Sequence, residues 1–415
     1  MKANLFLVGF IFISFTQAWA SEFKIGPVPE SILRVQSSDD VIGKDAKLIP
    51  GSEKYVHGLD HTILDRKNHL LYALGMDRKI TRIDLTTGEI SSLVTLPVVP
   101  GGGMLDPMND KKIILCASKW QGESYPSQAK TGLYEIDLSG NSPRVTILVG
   151  QVFKDNGSTN GEELSYSLKD APKMAVSSLG SSAQARDMGI CDDAVVSKDG
   201  QRVYFVEPYS DPDGGFGDDL TGTMNQRQVL FASQHGKVWM YNRLTSELNL
   251  IATRFAFPDG ILLEEKSSSE DSLLVSELSR YRLNRLDLQQ GGFQVLLENL
   301  PGLPNALSTD ENGLVYMAMN KMRTPILDCL INAPEWEKQI ALALPNFLKP
   351  IPKATGLLIL RRNQIDSYAP VYFTQHGGSR LKSIISLSPS LEEGSIYLSI
   401  FDKSYPGVYA IPIQP

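Results

Sequence analysis

Phe257-Pro258-Asp259-Gly260-Ile261-Leu262-Leu263, followed after a polar gap by Ser272-Leu273-Leu274-Val275-Ser276-Glu277, is the stretch that decides the fold. It sets an acidic residue at the head of an apolar run, then a polar turn, then a second apolar run. The layout recurs. Asp60-His61-Thr62-Ile63-Leu64 leads through Asp65-Arg66-Lys67-Asn68 to Leu70-Leu71-Tyr72, and Asp192-Asp193-Ala194-Val195-Val196 leads through Ser197-Lys198-Asp199-Gly200 to Val203-Tyr204-Phe205. Asn305-Ala306-Leu307 leads through Asp310-Glu311-Asn312-Gly313 to Val315-Tyr316-Met317.

Outward from these stretches, the second apolar run is found again at Ile113-Ile114-Leu115 and at Ile396-Tyr397-Leu398, making six in all. A further strand ending in a polar turn follows most of them, as in Arg82-Ile83-Asp84-Leu85 and Arg285-Leu286-Asp287-Leu288. Short alternating runs punctuated by Gly, Asp, Asn, Ser and Pro are an all-β pattern. Uninterrupted units lie roughly 40 to 45 residues apart, the length of one four-stranded propeller blade. The expectation is an all-β, six-bladed β-propeller over residues 53–415. Long spacings call for insertions at 153–188, at 210–223 and at 325–348. The last is apolar at helical spacing (Ile326, Leu327, Leu330, Trp336, Ile340, Leu344) and reads as a helical insert in the fifth blade, covering one face or serving as a lid or membrane-facing element.

Composition narrows the function. The 415-residue chain carries a formal net charge of −7, which argues against a nucleic-acid partner, since phosphate binding needs a basic surface. Residues 1–20 read as an export signal: Lys2, an apolar core from Leu5 to Phe15, and Ala18-Trp19-Ala20 ahead of cleavage. The alternative is an uncleaved N-terminal membrane anchor. Residues 21–52 then form an extension ahead of the propeller. Cys116, Cys191 and Cys329 are too few and too dispersed for a disulfide framework or a thiolate zinc site. One disulfide is allowed and its pairing is open.

The innermost strand of a propeller blade lines the channel, so Asp60, Asp192, Asp259 and Asn305 converge on the axis. Carboxylates crowded in a channel repel unless a cation lies between them. An all-oxygen donor set suits calcium or magnesium better than zinc. The competing reading is turn chemistry, in which Asp and Asn simply start strands. His61 is the acid/base candidate because histidine titrates near neutrality, although strand alternation would turn it away from the channel if Asp60 faces inward. His57 precedes the same strand, His376 reads as a turn residue, and His69 and His235 read as structural. No G-x-S-x-G elbow, P-loop or H-E-x-x-H is present. Gly101-Gly102-Gly103 reads as a tight connection rather than a phosphate cradle.

Phe257-Pro258-Asp259-Gly260, Glu277, Arg282 and Glu298-Asn299-Leu300-Pro301-Gly302-Leu303-Pro304-Asn305 together resemble the strictosidine-synthase-like family, whose animal relatives include the adipocyte plasma membrane-associated protein. The gluconolactonase group and the paraoxonases are more distant relatives. Arg323-Thr324-Pro325 to Trp336 and Gly394 to Tyr409 carry the same resemblance. It implies a six-bladed propeller and, by analogy with the hydrolase branches, an axial divalent metal, usually calcium. By motif position the metal ligands are Asp60, Asp192, Asp259 and Asn305. The chain departs from the family at each: Asp for Glu, Asp for Asn twice, and Asn for Asp. The synthase's glutamate has no counterpart in Ser383-Ile384-Ile385-Ser386-Leu387, which disfavours amine–aldehyde condensation. The expectation is an exported, calcium-dependent hydrolase of small lactones or aryl esters, with His61 or Asp193 assisting water. The alternative is a non-catalytic binding propeller with a structural metal and peripheral membrane contact through 325–348.

Overall fold

The computed structural model describes residues 23–414, apart from 121–123, 141, 156–162, 211–222, 267–268, 346–347, 350 and 365–366. The segment read as an export signal, residues 1–20, lies outside the described residues, as does most of the 210–223 loop.

Each repeat folds as an antiparallel blade, and there are six. Blade one runs Leu59–Asp65, Leu70–Gly75, Lys79–Asp84 and Ile90–Thr95; blade two runs Val99–Asp106, Asn109–Ser118, Gly132–Asp137 and Arg144–Val149. Blade three runs Ala194–Val196, Arg202–Glu207, Gly236–Asn242 and Glu247–Phe255. Blade four runs Pro258–Lys266, Ser269–Glu277, Arg282–Asp287 and Phe293–Leu297; blade five runs Gly302–Thr309, Val315–Met322, Thr355–Arg362 and Tyr368–His376. All six second apolar runs are second strands. They are buried from both sides because each blade packs face to face with the next. Ile63 and Leu74 of blade one meet Ile113 and Leu115 of blade two, and Tyr316 and Ile359 of blade five meet Leu387 and Leu398 of blade six.

Blade six joins the two ends of the chain. Ile384–Ser390, Ser395–Ile400 and Tyr409–Pro412 are completed on the outer edge by Lys47–Leu48, paired to Ala410 and Tyr409. The segment ahead of that strand is also packed down: Ile32, Ile42 and Ala46 are fully buried, and Ser37 N–H donates to the Phe373 carbonyl. Pairing between Lys47–Leu48 and the last strand ties the two ends of the ring together in one blade.

The described part of 153–188 builds onto the back of blade three. Leu164–Ser165 and Lys173–Ala175 pair with its outer strand, and Ala185–Asp187 pairs with Gln151–Phe153. Between the second and third strands of blade five lie two helices, Pro325–Ile331 and Glu335–Ala343. The first is capped by the Thr324 hydroxyl, which accepts from Leu327 N–H, with Pro325 at the first helical position. A helix at Thr223–Phe231 departs from the sequence expectation of a single helical stretch. Its first six residues are Thr-Met-Asn-Gln-Arg-Gln, so it shows no apolar stripe until Val229. Cys116 and Cys191 form a disulfide, joining the second strand of blade two to the residue beside Asp192, while Cys329 is free and exposed.

Candidate axial site

One local device is repeated around the ring. In blade one, pairing jumps from Leu59↔Gly75 to His61↔Leu74, so the inner strand holds an extra residue at Asp60. The same shift falls at Gly101-Gly102 in blade two, Asp259-Gly260 in blade four, Asn305-Ala306 in blade five and Ile385 in blade six. In blade three Asp192 N–H donates to the Val206 carbonyl while Val206 N–H donates to the Asp193 carbonyl, setting two residues against one. These are β-bulges, which re-aim side chains and bend the strand. They explain a departure from simple alternation: Asp60 and its neighbour His61 both line the axial cavity, and so do Asp192 and Asp193.

Asp60, Asp192, Asp259 and Asn305 all line that cavity, about 710 Å³ of empty space open to solvent. All four are buried, as are His61 and Asp193. The packing that brings them together needs small residues. A Cβ on Gly102 would lie 2.1 Å from Asp193 Oδ1, and one on Gly260 would lie 2.6 Å from the Asn305 carbonyl. Blade two therefore contributes space where blades one, three and four contribute a carboxylate. The glycine run read as a tight connection is a stretch of inner strand against which Asp192 and Asp193 pack, with Gly102 N–H donating to the Asp192 carbonyl at 2.6 Å. Ser276 ties blades four and five: its hydroxyl accepts from Gly260 N–H at 2.7 Å and donates to the Asn305 carbonyl at 2.8 Å.

Burial dominates the electrostatics. It pushes Asp60 up to about 8, helped by the nearby charge of Asp193. Asp192 is held well above the carboxylate range by burial and then by repulsion from Asp259, Asp60 and Asp193, and Asp259 by burial and then by Asp60 and Asp193. Side-chain hydrogen bonding between the two carboxyls adds to the upward push on Asp192 and opposes it on Asp259. Asn305 Nδ2 donates to Asp259 Oδ2 at 3.0 Å. Asp193 is raised to about 7 by burial, opposed by N–H donation from Ile261 and Ala194. His61 is lowered to about 4 by burial, so its imidazole is neutral at physiological pH.

By donor chemistry the set fits a hard divalent cation: three carboxyls and an amide, with mutual repulsion that a cation would relieve. By position, among the described residues no three or more His, Cys, Asp or Glu side chains are gathered closely enough to hold a metal as they stand. Asn305 is instead tied to Asp259 by its amide hydrogen bond. A cation held there would take the place of protons on these carboxyls and would need the Asn305 amide turned to present its oxygen.

Sequence reasoning missed other residues of the cavity lining. Lys321, from the second strand of blade five, lines it, is buried and donates to Ser383 Oγ at 2.5 Å. Asn320, Ile385, Phe257 and Val229 line it as well. No acidic motif marked them. The remaining histidines stay outside the cavity lining. His376 is buried against Asp40 at 2.8 Å, His69 bonds Glu393 at 2.9 Å, and His57 is exposed.

No protein-family model matches the chain. The adipocyte plasma membrane-associated protein of Danio rerio is 27% identical over 234 residues, 53% of this chain and 51% of that protein. Strictosidine synthase-like 13 of Arabidopsis thaliana is 30% identical over 131 residues, 31% of this chain and 32% of that protein. The chain thus spans about half or less of the length of these curated relatives. Among solved structures, a gluconolactonase from Xanthomonas campestris aligns with a TM-score of 0.50 at 11% identity, covering 91% of this chain and 94% of that one. A calcium-binding regucalcin from Agrobacterium tumefaciens aligns with a TM-score of 0.50 at 10% identity, covering 88% and 92%. The chain is a six-bladed propeller with gluconolactonase-type structural neighbours, and its homologues are the adipocyte plasma membrane-associated proteins and a strictosidine synthase-like protein.

Proposed function

We propose that this protein is a metal-dependent hydrolase of lactones or aryl esters, working at the axial cavity. The observation that carries the reading is the convergence of Asp60, Asp192, Asp259 and Asn305 beside a neutral buried His61. These four residues would hold the cation, with calcium favoured by the all-oxygen donors. When bound, such an ion polarises the ester carbonyl and stabilises the oxyanion. The chain's own residues do the rest. His61, unprotonated at neutral pH, takes the proton from an attacking water. Asp193, held near neutrality by burial, takes or returns a proton on the same side. The acyl–oxygen bond breaks, water's oxygen joins the acyl carbon, and the released alkoxide leaves with a proton.

The lactone-cleaving name of one structural neighbour and the calcium-binding name of another support this direction, at the level of fold. The Cys116–Cys191 disulfide supports an oxidising compartment, and with it the reading of residues 1–20 as an export signal, with an N-terminal anchor as the alternative. No described helix is long and apolar enough to cross a membrane.

A second reading, a binding propeller with peripheral membrane contact through 325–348, is favoured by one observation. Ile326, Trp336, Ile340 and Leu348 are 59%, 62%, 56% and 56% exposed, an apolar set on a single insertion. A panel of aryl esters and lactones, tested with purified protein before and after chelation, separates the two. The hydrolase reading expects turnover that chelation abolishes and calcium restores. Calcium retained with no turnover on any substrate sinks it.

A further inference from the structure

The inner strands of blades one, four and six are entered through the same turn. The residue just ahead of each strand, Gly58, Phe257 or Ser383, has a left-handed backbone, at φ 73°, 61° and 52° respectively. Its carbonyl accepts from the N–H of the first residue past the second strand of the blade: Met76 at 3.2 Å, Leu278 at 2.9 Å and Phe401 at 3.0 Å. Blade one meets this demand with glycine, which enters the left-handed region without steric cost. Blades four and six meet it with residues that carry side chains, and both of these residues line the axial cavity. A bulky residue at positive φ is an outlier, and Phe257 also precedes Pro258, a place that ordinarily takes extended backbone. Strain of this kind persists where the surrounding structure fixes it, and it gathers at functional sites.

The two strained residues differ in what their side chains do. Ser383 Oγ accepts from Lys321 at 2.5 Å, which gives that serine a use within the protein. Phe257 has only a ring. That ring is 5% exposed, lies 5.8 Å from Tyr209 between centroids, and belongs to a lining that Val229, Leu278 and Ile385 share. An aromatic ring that meets a second ring contributes beyond the area it buries. We propose that Phe257 is a specificity-determining residue, held in its strained backbone so that its ring receives the aryl group of a ligand in the axial cavity. The inference rests on the axial cavity being the ligand site, and it deepens the hydrolase reading by naming the residue that selects an aryl group.

Calorimetric titration of the full chain with benzyl alcohol and with cyclohexylmethanol, its saturated counterpart, tests the contact without any turnover. The ratio of the two affinities, benzyl over cyclohexyl, falls about threefold or more in Phe257→Leu, the share of one aromatic pair. Denaturant melts report the fold of the variant. Where Phe257→Leu does not fold, Phe257→Gly, which suits a left-handed backbone, takes its place and shows the same fall. A ring that only fills the core would move the melts and leave the ratio at its wild-type value, so an unchanged ratio in a folded variant overturns the proposal. The kcat/KM of benzyl acetate relative to cyclohexylmethyl acetate then separates the two readings. A ratio that falls in binding, with neither ester cleaved, sinks the hydrolase reading and leaves the contact standing. Cleavage of both esters with a ratio that the variants do not change sinks the contact and leaves the hydrolase.

Discussion

At the scale of the residue, Gly102 and the axial acids carry the sharpest consequences. Gly102 faces Asp193 Oδ1 so closely that Gly102→Ala must displace that carboxylate. We expect a loss of about 1–3 kcal/mol, the usual range for overpacking, together with a marked fall in hydrolytic rate. Denaturant melts and rates on one responsive ester check both, and wild-type values for each would remove Asp193 from the site. The acids themselves make stability depend on pH. Asp60 at about 8 and Asp193 at about 7 lie above the ordinary carboxylate value of 3.8, so the metal-free folded state binds more protons than the unfolded state between these limits. Stability is then greatest below pH 3.8 as far as these groups decide it, and is lost as pH rises toward 8. The melting temperature of chelated protein should fall between pH 5 and pH 8, and calcium should reverse the trend. A chelated protein that stabilises over that interval would contradict the burial of these acids. The sequence exposed Asp60, Asp192, Asp259 and Asn305 because they repeat. It hid Lys321 and Ser383 because neither sits at the repeated acid or amide position; only the fold brings blades five and six together there.

At the scale of the element, the second strand of each blade was legible because burial on both faces leaves a continuous apolar run such as Leu273-Leu274-Val275. The bulges on the inner strands were not. No residue type spells a bulge uniformly: Asp60, Gly101-Gly102, Asp192-Asp193, Asn305-Ala306 and Ile385 occupy the same geometry. Alternation consequently placed His61 on the wrong side of its strand. The disulfide pairing was likewise closed to composition, since it depends on blade two meeting the chain as it returns from 153–188. That bond spans 75 residues, and its loss should cost roughly 4 kcal/mol by loop entropy. Cys116→Ser should lower stability by that order and loosen Asp192, which follows Cys191 directly. A denaturant midpoint unmoved by the substitution or by reductant would contradict this.

At the scale of the whole molecule, the six repeats gave the ring, but its closure lay in a segment without a repeat signature. Lys47-Leu48 is too short to read as a strand, and Ile32 and Ile42 look like isolated apolar residues until blades five and six cover them. Removing residues 23–48 should cost more than about 4 kcal/mol, from two buried isoleucines at 2–5 kcal/mol each. The loss would appear as an early, separate unfolding step of the open ring in calorimetry. A truncated protein that melts as the full chain does would show that the closing strand is dispensable. The ring matters to function because it alone brings blades one, three, four and five to a common axis. Isothermal titration of calcium into the wild type, Asp192→Ala and Asp259→Ala tests that convergence most directly. The account predicts about one ion per chain in the wild type and binding weakened at least about tenfold in each variant, the order of one lost charged ligand. Calcium binding unchanged in both variants would contradict a shared axial site.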